Sequence, residues 1–481
     1  MMASTHHNIR QAIIAALPND TSLHGKEPDK RSVYIPPSHI KALRLECSLV
    51  IGARGVGKTF WNAALNSPEI RAILGQSVPD LSRVEVKTGF GERPDLDAYP
   101  DADVFDSLLS KGIEAYDVWR AVLGRWAAHI IEEHIPSKTW EISAAWVKND
   151  PESFGRLLQR ANDFFSGQNK HGLIVFDALD RSSTAWQTMD TIVRDLFRVV
   201  LSLKRYPSLH GKIFLREDQF DDRQIANFPD ASKLRATRVE LTWALHDLHG
   251  LLWHLFCNGE EPHGEILRNI YKKVIGNPPD YNAEVWLLKD TVKRDEQLQR
   301  PLFAIIAGNW MGRDRRRGVP YLWSVGHLAD GKGRTSPRSF LAAIRAAAEN
   351  AEERFPSHQV PLHYESIKYG VQKASGIRVS EMAEDYSWVE TLMEPLKGLT
   401  VPCTFDIIEE QWKSSFGSDP QKSTFDRLPP EHYEAGWNGI RKDFEKLGIF
   451  ELMKDERVNM PDLYRVGFGL GRRGGVKPVV R

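Results

Sequence analysis

Gly52-Ala53-Arg54-Gly55-Val56-Gly57-Lys58-Thr59 spaces two glycines, a lysine and a threonine as G-x-x-x-x-G-K-[ST], the pattern of a phosphate-cradling loop. Leu45-Glu46-Cys47-Ser48-Leu49-Val50-Ile51 runs into it as a strand, and Thr59-Phe60-Trp61-Asn62-Ala63-Ala64-Leu65 leaves it as a helix. A strand, a glycine turn and a helix N-terminus in that order aim backbone N–H groups and the positive end of a helix dipole at one anion. Gly52, Gly55 and Gly57 allow the tight backbone. Lys58 is placed to contact β- and γ-phosphates and Thr59 to hold Mg²⁺. The binding stretch comprises Gly52, Arg54, Gly55, Val56, Gly57, Lys58, Thr59 and Phe60.

Working outward, residues 41 to 245 alternate strand and helix, the signature of a mostly parallel sheet covered by helices. Arg83–Val86 reads as a short strand, Pro94–Asp101 as a loop, and Phe105–His134 as one long helix carrying Trp119, Val122, Leu123 and Trp126 at helical spacing. A further helix runs from Pro151 to Phe165. The second strong signal is Leu173-Ile174-Val175-Phe176-Asp177-Ala178-Leu179-Asp180-Arg181, an apolar run ending in acids. A buried parallel strand with a carboxylate at its C-terminal end sits where open α/β sheets bind their ligands. A helix over Met189–Lys204, a strand over Gly211–Asp218 and a fifth strand over Thr237–Leu241 complete the sheet. Residues 1–40 form a lead-in, 246–355 a helical lid interrupted by a loop from Gly308 to Thr335, 356–424 a helical connector, and 425–481 a separate C-terminal module.

Bulk properties narrow the class. At 481 residues the chain exceeds one compact core. Lys plus Arg equals Asp plus Glu at 64 each, so any nucleic-acid or membrane contact has to be local. Cys47, Cys257 and Cys403 lie far apart, which argues against a zinc site or disulfide framework and fits a reducing cytoplasm. No apolar run is long enough to predict a membrane span, and the first residues lack the core of a signal peptide.

Hydrolysis of a nucleoside triphosphate needs grip on the phosphates, Mg²⁺, an oriented water and positive charge for the transition state. The loop and Lys58 supply grip. Thr59 holds Mg²⁺ directly and Asp177 through water. Ala178 stands where a glutamate commonly orients water, so Asp180, three residues after Asp177, is the catalytic carboxylate, with a helix cap or a partner of Arg181 as its bland role. Arg216, ending the next strand, is the γ-phosphate sensor; paired with Glu217 or Asp218 it would be structural. Ser336-Pro337-Arg338 opens a helix, with Ser336 as N-cap and Pro337 at the first position, and aims Arg338 at the phosphates from the lid. Arg313, Arg315, Arg316 and Arg317 form a basic cluster that suits an arginine finger, a nucleic-acid contact or a solvated run. Tyr433–Leu447 reads as a helix and Gly448–Met460 as strand, turn, strand: a winged-helix pattern. Behind it lies a basic tail of Arg465, Arg472, Arg473, Lys477 and Arg481 with interleaved glycines through Gly475, which suits duplex DNA phosphates or simple packing.

Together the loop Gly52–Thr59, the strand and acids Leu173–Arg181, Phe214-Leu215-Arg216, Ser336-Pro337-Arg338 and the C-terminal wing resemble the AAA-like STAND and origin-recognition-type ATPases of bacteria. Phe176-Asp177-Ala178-Leu179-Asp180 is similar to the D-[GA]-h-D acid motif of STAND proteins. The resemblance implies an α/β P-loop core with a helical lid and winged helix. It also implies ATP with Mg²⁺ as ligands, a protein partner (effector or sensor), assembly into homo-oligomers, and a place in anti-phage defence; Ala178, in the glutamate position, departs from the pattern and points to slow turnover. Duplex DNA through 425–481 is the alternative partner, and a nucleotide-stabilised scaffold the non-catalytic alternative.

Overall fold

In the computed structural model, residues 2–19, 27–183, 186–220, 228, 231–421, 425, 428–474 and 476–478 are described. Gly475 and Arg481 of the basic tail lie outside them. The chain divides into two compact units: Ser22–Thr242, and Met1–Thr21 together with Trp243–Arg481. The first helix, Met2–Ala16, which the sequence reads as part of a lead-in, is therefore a piece of the second unit.

The unit Ser22–Thr242 is built on five parallel strands: β1 (Leu49–Gly52), β2 (Val84–Phe90), β3 (His171–Phe176), β4 (Leu209–Arg216) and β5 (Val239–Glu240). Their order is β2-β3-β4-β1-β5. β4 therefore lies between the strand that feeds the glycine loop and the strand that leads into Asp177. Leu49↔Ile213 through Gly52↔Arg216 set the register of β1 on β4, and Gly172↔Leu209 through Phe176↔Ile213 that of β3 on β4. β1 and β3 are buried almost end to end, as expected of strands covered on both faces.

β1 starts at Leu49, not Leu45. The four preceding residues turn instead, because the buried ammonium of Lys212 donates to the carbonyls of Ala42 (2.7 Å), Arg44 (2.9 Å) and Cys47 (2.5 Å). A buried lysine satisfies all three donors this way, and it fixes the approach to the loop.

The long gap between Lys58 and Asp177 comes mainly from four helices between β2 and β3: Ala102–Ser110, Ala115–Ile130, Trp140–Asn149 and Pro151–Gly167. The single helix read over Phe105–His134 breaks at Gly112, whose φ of 81° only glycine adopts without strain. Trp140–Asn149 is a helix the sequence reading missed; Thr139 caps it by accepting from the N–H of Ile142. Trp119 holds the layer to the sheet. It packs edge-on to Phe90 and Phe176, tilts against Phe105, and donates its Nε1–H to the carbonyl of Ile192 at 2.9 Å. A methyl group on Gly172 of β3 would lie 2.4 Å from the ring of Phe165, so the helix Pro151–Gly167 sits directly on the strand.

In the second unit the expected loop from Gly308 to Thr335 contains a helix, Pro320–Gly326, opened by a proline at its first position. Ser336 caps Pro337–Arg354 by accepting from the N–H of Ser339 at 3.2 Å. The helix read over Tyr433–Leu447 is Gly436–Lys446. It is followed by an antiparallel pair, β8 (Glu451–Leu452) and β9 (Val458–Asn459), after the separate hairpin β6 (Asp280–Asn282) and β7 (Val285–Leu287). Trp412 stacks on Phe444 and Phe450 beneath that helix. Among the described residues no helix is long and apolar enough to cross a membrane.

Candidate nucleotide site

The loop follows from its residues. Gly55 (φ 80°) and Gly57 (φ 104°) both take the left-handed conformation, which turns the chain from β1 into the helix Lys58–Asn66. A side chain on Gly52 would collide with Val56, at 2.6 Å. The helix begins at Lys58 with Gly57 as its N-cap residue, so the N–H groups of its first turn are directed toward the loop. Lys58 folds back over the loop and donates to the carbonyls of Gly52 at 2.8 Å and Ala53 at 2.9 Å. Arg54 and Phe60 are partly accessible on the same stretch, and Phe60 packs edge-on to the buried Trp61.

Asp177 follows the last residue of β3, buried at 3 % exposure, and its N–H donates to the carbonyl of Phe90 at 3.0 Å. Burial pushes its carboxyl up to about 6. The N–H of Ala178, the charge of Lys58 and the hydroxyl of Thr59 pull the other way, and Asp180 adds to the rise. Lys58 is pushed down to about 8, first by burial and then by the Arg216 guanidinium, while Asp177, Asp218 and Asp180 oppose the shift. The ammonium and the carboxylate each favour the other's charged form. The two share one electrostatic neighbourhood, joined by Thr59.

Ala178 carries the chain through a left-handed turn (φ 56°, ψ 35°). A β-strand continuing straight would place residue 178 against the opposite face; the turn instead brings Asp180 back toward β4. Asp180 Oδ2 lies 3.6 Å from Arg216 Nη1. Arg216 is paired across the sheet with Gly52, at the mouth of the loop. Its Nε and Nη2 donate to the two oxygens of Asp218 at 3.1 and 2.8 Å. Lys58, Thr59, Asp177, Asp180 and Arg216 therefore converge, and Asp218 joins them. The sequence pointed to Asp218 only as a bland partner of Arg216; its signal is an acid two residues beyond a strand-ending arginine. Arg338 stands in the second unit on the first turn of its helix, with Nη1 on Glu381 at 2.6 Å.

The residues present fit a divalent cation. Asp177 Oδ2 is buried and accepts no hydrogen bond, an arrangement that costs free energy unless a cation or water approaches it. The Thr59 hydroxyl reaches the same carboxylate. Two oxygen donors, one of them charged, suit Mg²⁺, which takes hard oxygen ligands and keeps several waters.

A second network stands behind the loop. Trp61 donates its Nε1–H to His39 Nδ1 at 3.0 Å, and His39 Nε2 donates to the carbonyl of Thr242 at 3.0 Å. The buried imidazole is thereby fixed as its Nε2–H tautomer, and burial holds its pKa down to about 4. Nothing in the local sequence singled out His39, since its partners lie 22 and 203 positions away.

The basic tail departs from its reading. Arg465 is wholly buried and donates to Asp462 and to the carbonyls of Leu470 (2.9 Å) and Val476 (2.5 Å). It ties the tail down and is not available to phosphates. Arg472 approaches Asp462 at 3.8 Å; Arg473 and Lys477 are exposed. Arg313, Arg315, Arg316 and Arg317 are all exposed and form no ion pair among the described residues.

No family model and no curated protein matches this sequence. Among solved structures, the chain is similar to the ORC2 protein of Aeropyrum pernix in its ADPNP–ADP complexes, at 12 % identity and a TM-score of 0.39, over 91 % of this chain and 94 % of that one. It is also similar to Cdc6p from Pyrobaculum aerophilum, at 11 % identity and a TM-score of 0.29, over 91 % and 94 %. The ADP form of the same Aeropyrum ORC2 gives 12 % and 0.29, over 89 % and 92 %. These likenesses are shallow. The α/β P-loop fold stands on the glycine loop, the helix that follows it and the parallel strand order described above.

Proposed function

We propose that this site binds ATP with Mg²⁺ and hydrolyses it slowly, as a switch of AAA type whose nucleotide state governs assembly with a protein partner. The observation that carries the reading is the meeting of Lys58, Thr59 and Asp177, with one Asp177 oxygen left without a hydrogen bond. The loop N–H groups and Lys58 grip the phosphates; Lys58 exchanges its two loop carbonyls for phosphate oxygens. Bound Mg²⁺ would supply charge neutralisation across the β- and γ-phosphates, held by Thr59 and Asp177. Asp180 orients the attacking water, and Arg216 faces the γ-phosphate from the end of β4. Ala178 removes the usual water-orienting carboxylate and supports slow turnover. The D-A-h-D acid motif is what supports a defence setting and an effector or sensor as partner.

Isothermal titration of the full chain with Mg²⁺–ATP tests this. Lys58→Ala should weaken binding at least about 100-fold, since it removes the main charged contact to the phosphates, while the melting temperature changes little. Full ATP affinity in that variant would end the reading. Phosphate release that is measurable in the native protein and lost in Asp180→Asn supports the assignment of the carboxylate.

The four exposed arginines favour a second reading, contact with duplex DNA through Arg313–Arg317 of the second unit in place of the buried Arg465. Replacing all four by alanine should flatten the salt dependence of duplex binding by about one log–log unit per lost phosphate contact. An unchanged slope removes it.

A further inference from the structure

Arg216 and Asp218 stand two residues apart where β4 ends, both largely buried, with side-chain exposures of 12 % and 13 %. The guanidinium gives Asp218 its Nε–Nη2 edge in a bidentate pair, the geometry that binds carboxylate most strongly. Its Nη1 faces the more accessible Asp180 at 3.6 Å. Three carboxylates, Asp177, Asp180 and Asp218, act on Lys58 against one further cation, Arg216. Among these five described side chains the carboxylates outnumber the cations by one, on a wall that a polyanion has to approach. The bidentate edge of Arg216 that would take a terminal phosphate is the edge Asp218 already holds.

We propose that Asp218 is a positioning residue that keeps Arg216 engaged in the nucleotide-free site, and that a nucleotide has to exchange Asp218 for its own terminal phosphate. This rests on the ATP reading above and deepens it: the pair sets how strongly the site prefers a triphosphate to a diphosphate. A γ-phosphate supplies a doubly charged replacement for the carboxylate. A diphosphate, one charged group shorter, leaves the Arg216–Asp218 pair in place. Neutralising Asp218 therefore favours the triphosphate selectively, and only while Arg216 is present.

The test is equilibrium titration of the full chain with Mg²⁺–ATP and Mg²⁺–ADP in the native protein, Asp218→Asn, Arg216→Gln and the double variant, with thermal melting of each. Asp218→Asn is expected to tighten ATP about five- to tenfold, as loss of one competing charge-assisted pair allows, and to change ADP less than about twofold. In the Arg216→Gln background the same change is expected to do nothing. Equal tightening of ATP and ADP, or tightening that persists without Arg216, reduces the effect to bulk charge and overturns the proposal. So does weaker binding of both nucleotides. Asp218→Ser serves as the second neutral variant should Asp218→Asn fail to fold. A native protein that binds neither nucleotide overturns the ATP reading itself, whereas native ATP binding left unchanged by Asp218→Asn and Asp218→Ser overturns only the exchange.

Discussion

Ala178 occupies a left-handed conformation that costs an L-residue about 1–2 kcal/mol. Such strain persists where the surrounding structure imposes it. Here the turn returns Asp180 to the face of Arg216. Ala178→Gly should keep nucleotide affinity and leave stability within about 1 kcal/mol, because relief of strain is offset by glycine's greater freedom when unfolded. Ala178→Val should cost about 2 kcal/mol in a urea titration, and it should lower phosphate release by displacing Asp180. Ala178→Glu should not raise turnover, since the left-handed backbone aims the new carboxylate away from the path of a continuing strand. At this scale the sequence was most legible where chemistry demands fixed spacing, in Gly52–Thr59 and at Asp177. Asp218 and His39 were not, because their partners are chosen by tertiary proximity, and an acid or a histidine has no spacing signature for that.

At the scale of elements, apolar periodicity located the strands and most helices, and glycine and proline decided what it missed. Gly112 cuts a run of unbroken helical spacing into two helices. Pro320 opens a helix inside a stretch whose glycines and arginines read as loop. The four residues ahead of β1 look like strand by composition but turn onto Lys212, a contact made across 165 to 170 positions. The C-terminal segment carries the clearest energetic consequence. Arg465 and Asp462 are both buried and paired at 2.6 Å, and His327 holds the other carboxylate oxygen at 2.6 Å, so Arg465→Met should destabilise the second unit by about 1–3 kcal/mol through one unsatisfied carboxylate oxygen and the freed carbonyls of Leu470 and Val476. Chemical denaturation followed by tryptophan fluorescence would show this. Duplex DNA affinity measured below the transition should be unaffected.

The whole molecule holds several histidines neutral by burial. His39 and His210, in the unit with the parallel sheet, are held down to about 4, and His249, in the second unit, to about 3. An unfolded histidine titrates near 6.5. Below that pH the unfolded chain takes up protons the native state refuses, so the histidine contribution to stability falls as pH drops from about 6.5 toward 4, opposed in part by Asp177, which burial holds up near 6. Each fully buried imidazole, His39 and His249, contributes a slope of up to about 1.4 kcal/mol per pH unit in that window. Urea midpoints at pH 7.5, 5.5 and 4.5 should show both units weakening with acid, and His39→Gln should flatten the curve. A midpoint that rises on acidification would contradict the neutral buried state.

His39 has one more consequence. Both of its ring nitrogens are engaged, one by the first turn after the phosphate loop and one by Thr242, the last residue before the chain departs for its other unit. Ser38 donates to the same carbonyl at 3.3 Å, and the N–H of Leu241 donates to the carbonyl of Ile51 at 2.7 Å. The imidazole thus bridges two segments of chain that lie 181 positions apart. One ring thereby ties the helix beginning at Lys58 to a single peptide at the close of its own unit, and a glutamine there, with one amide in place of two ring nitrogens, has to give up part of that tie.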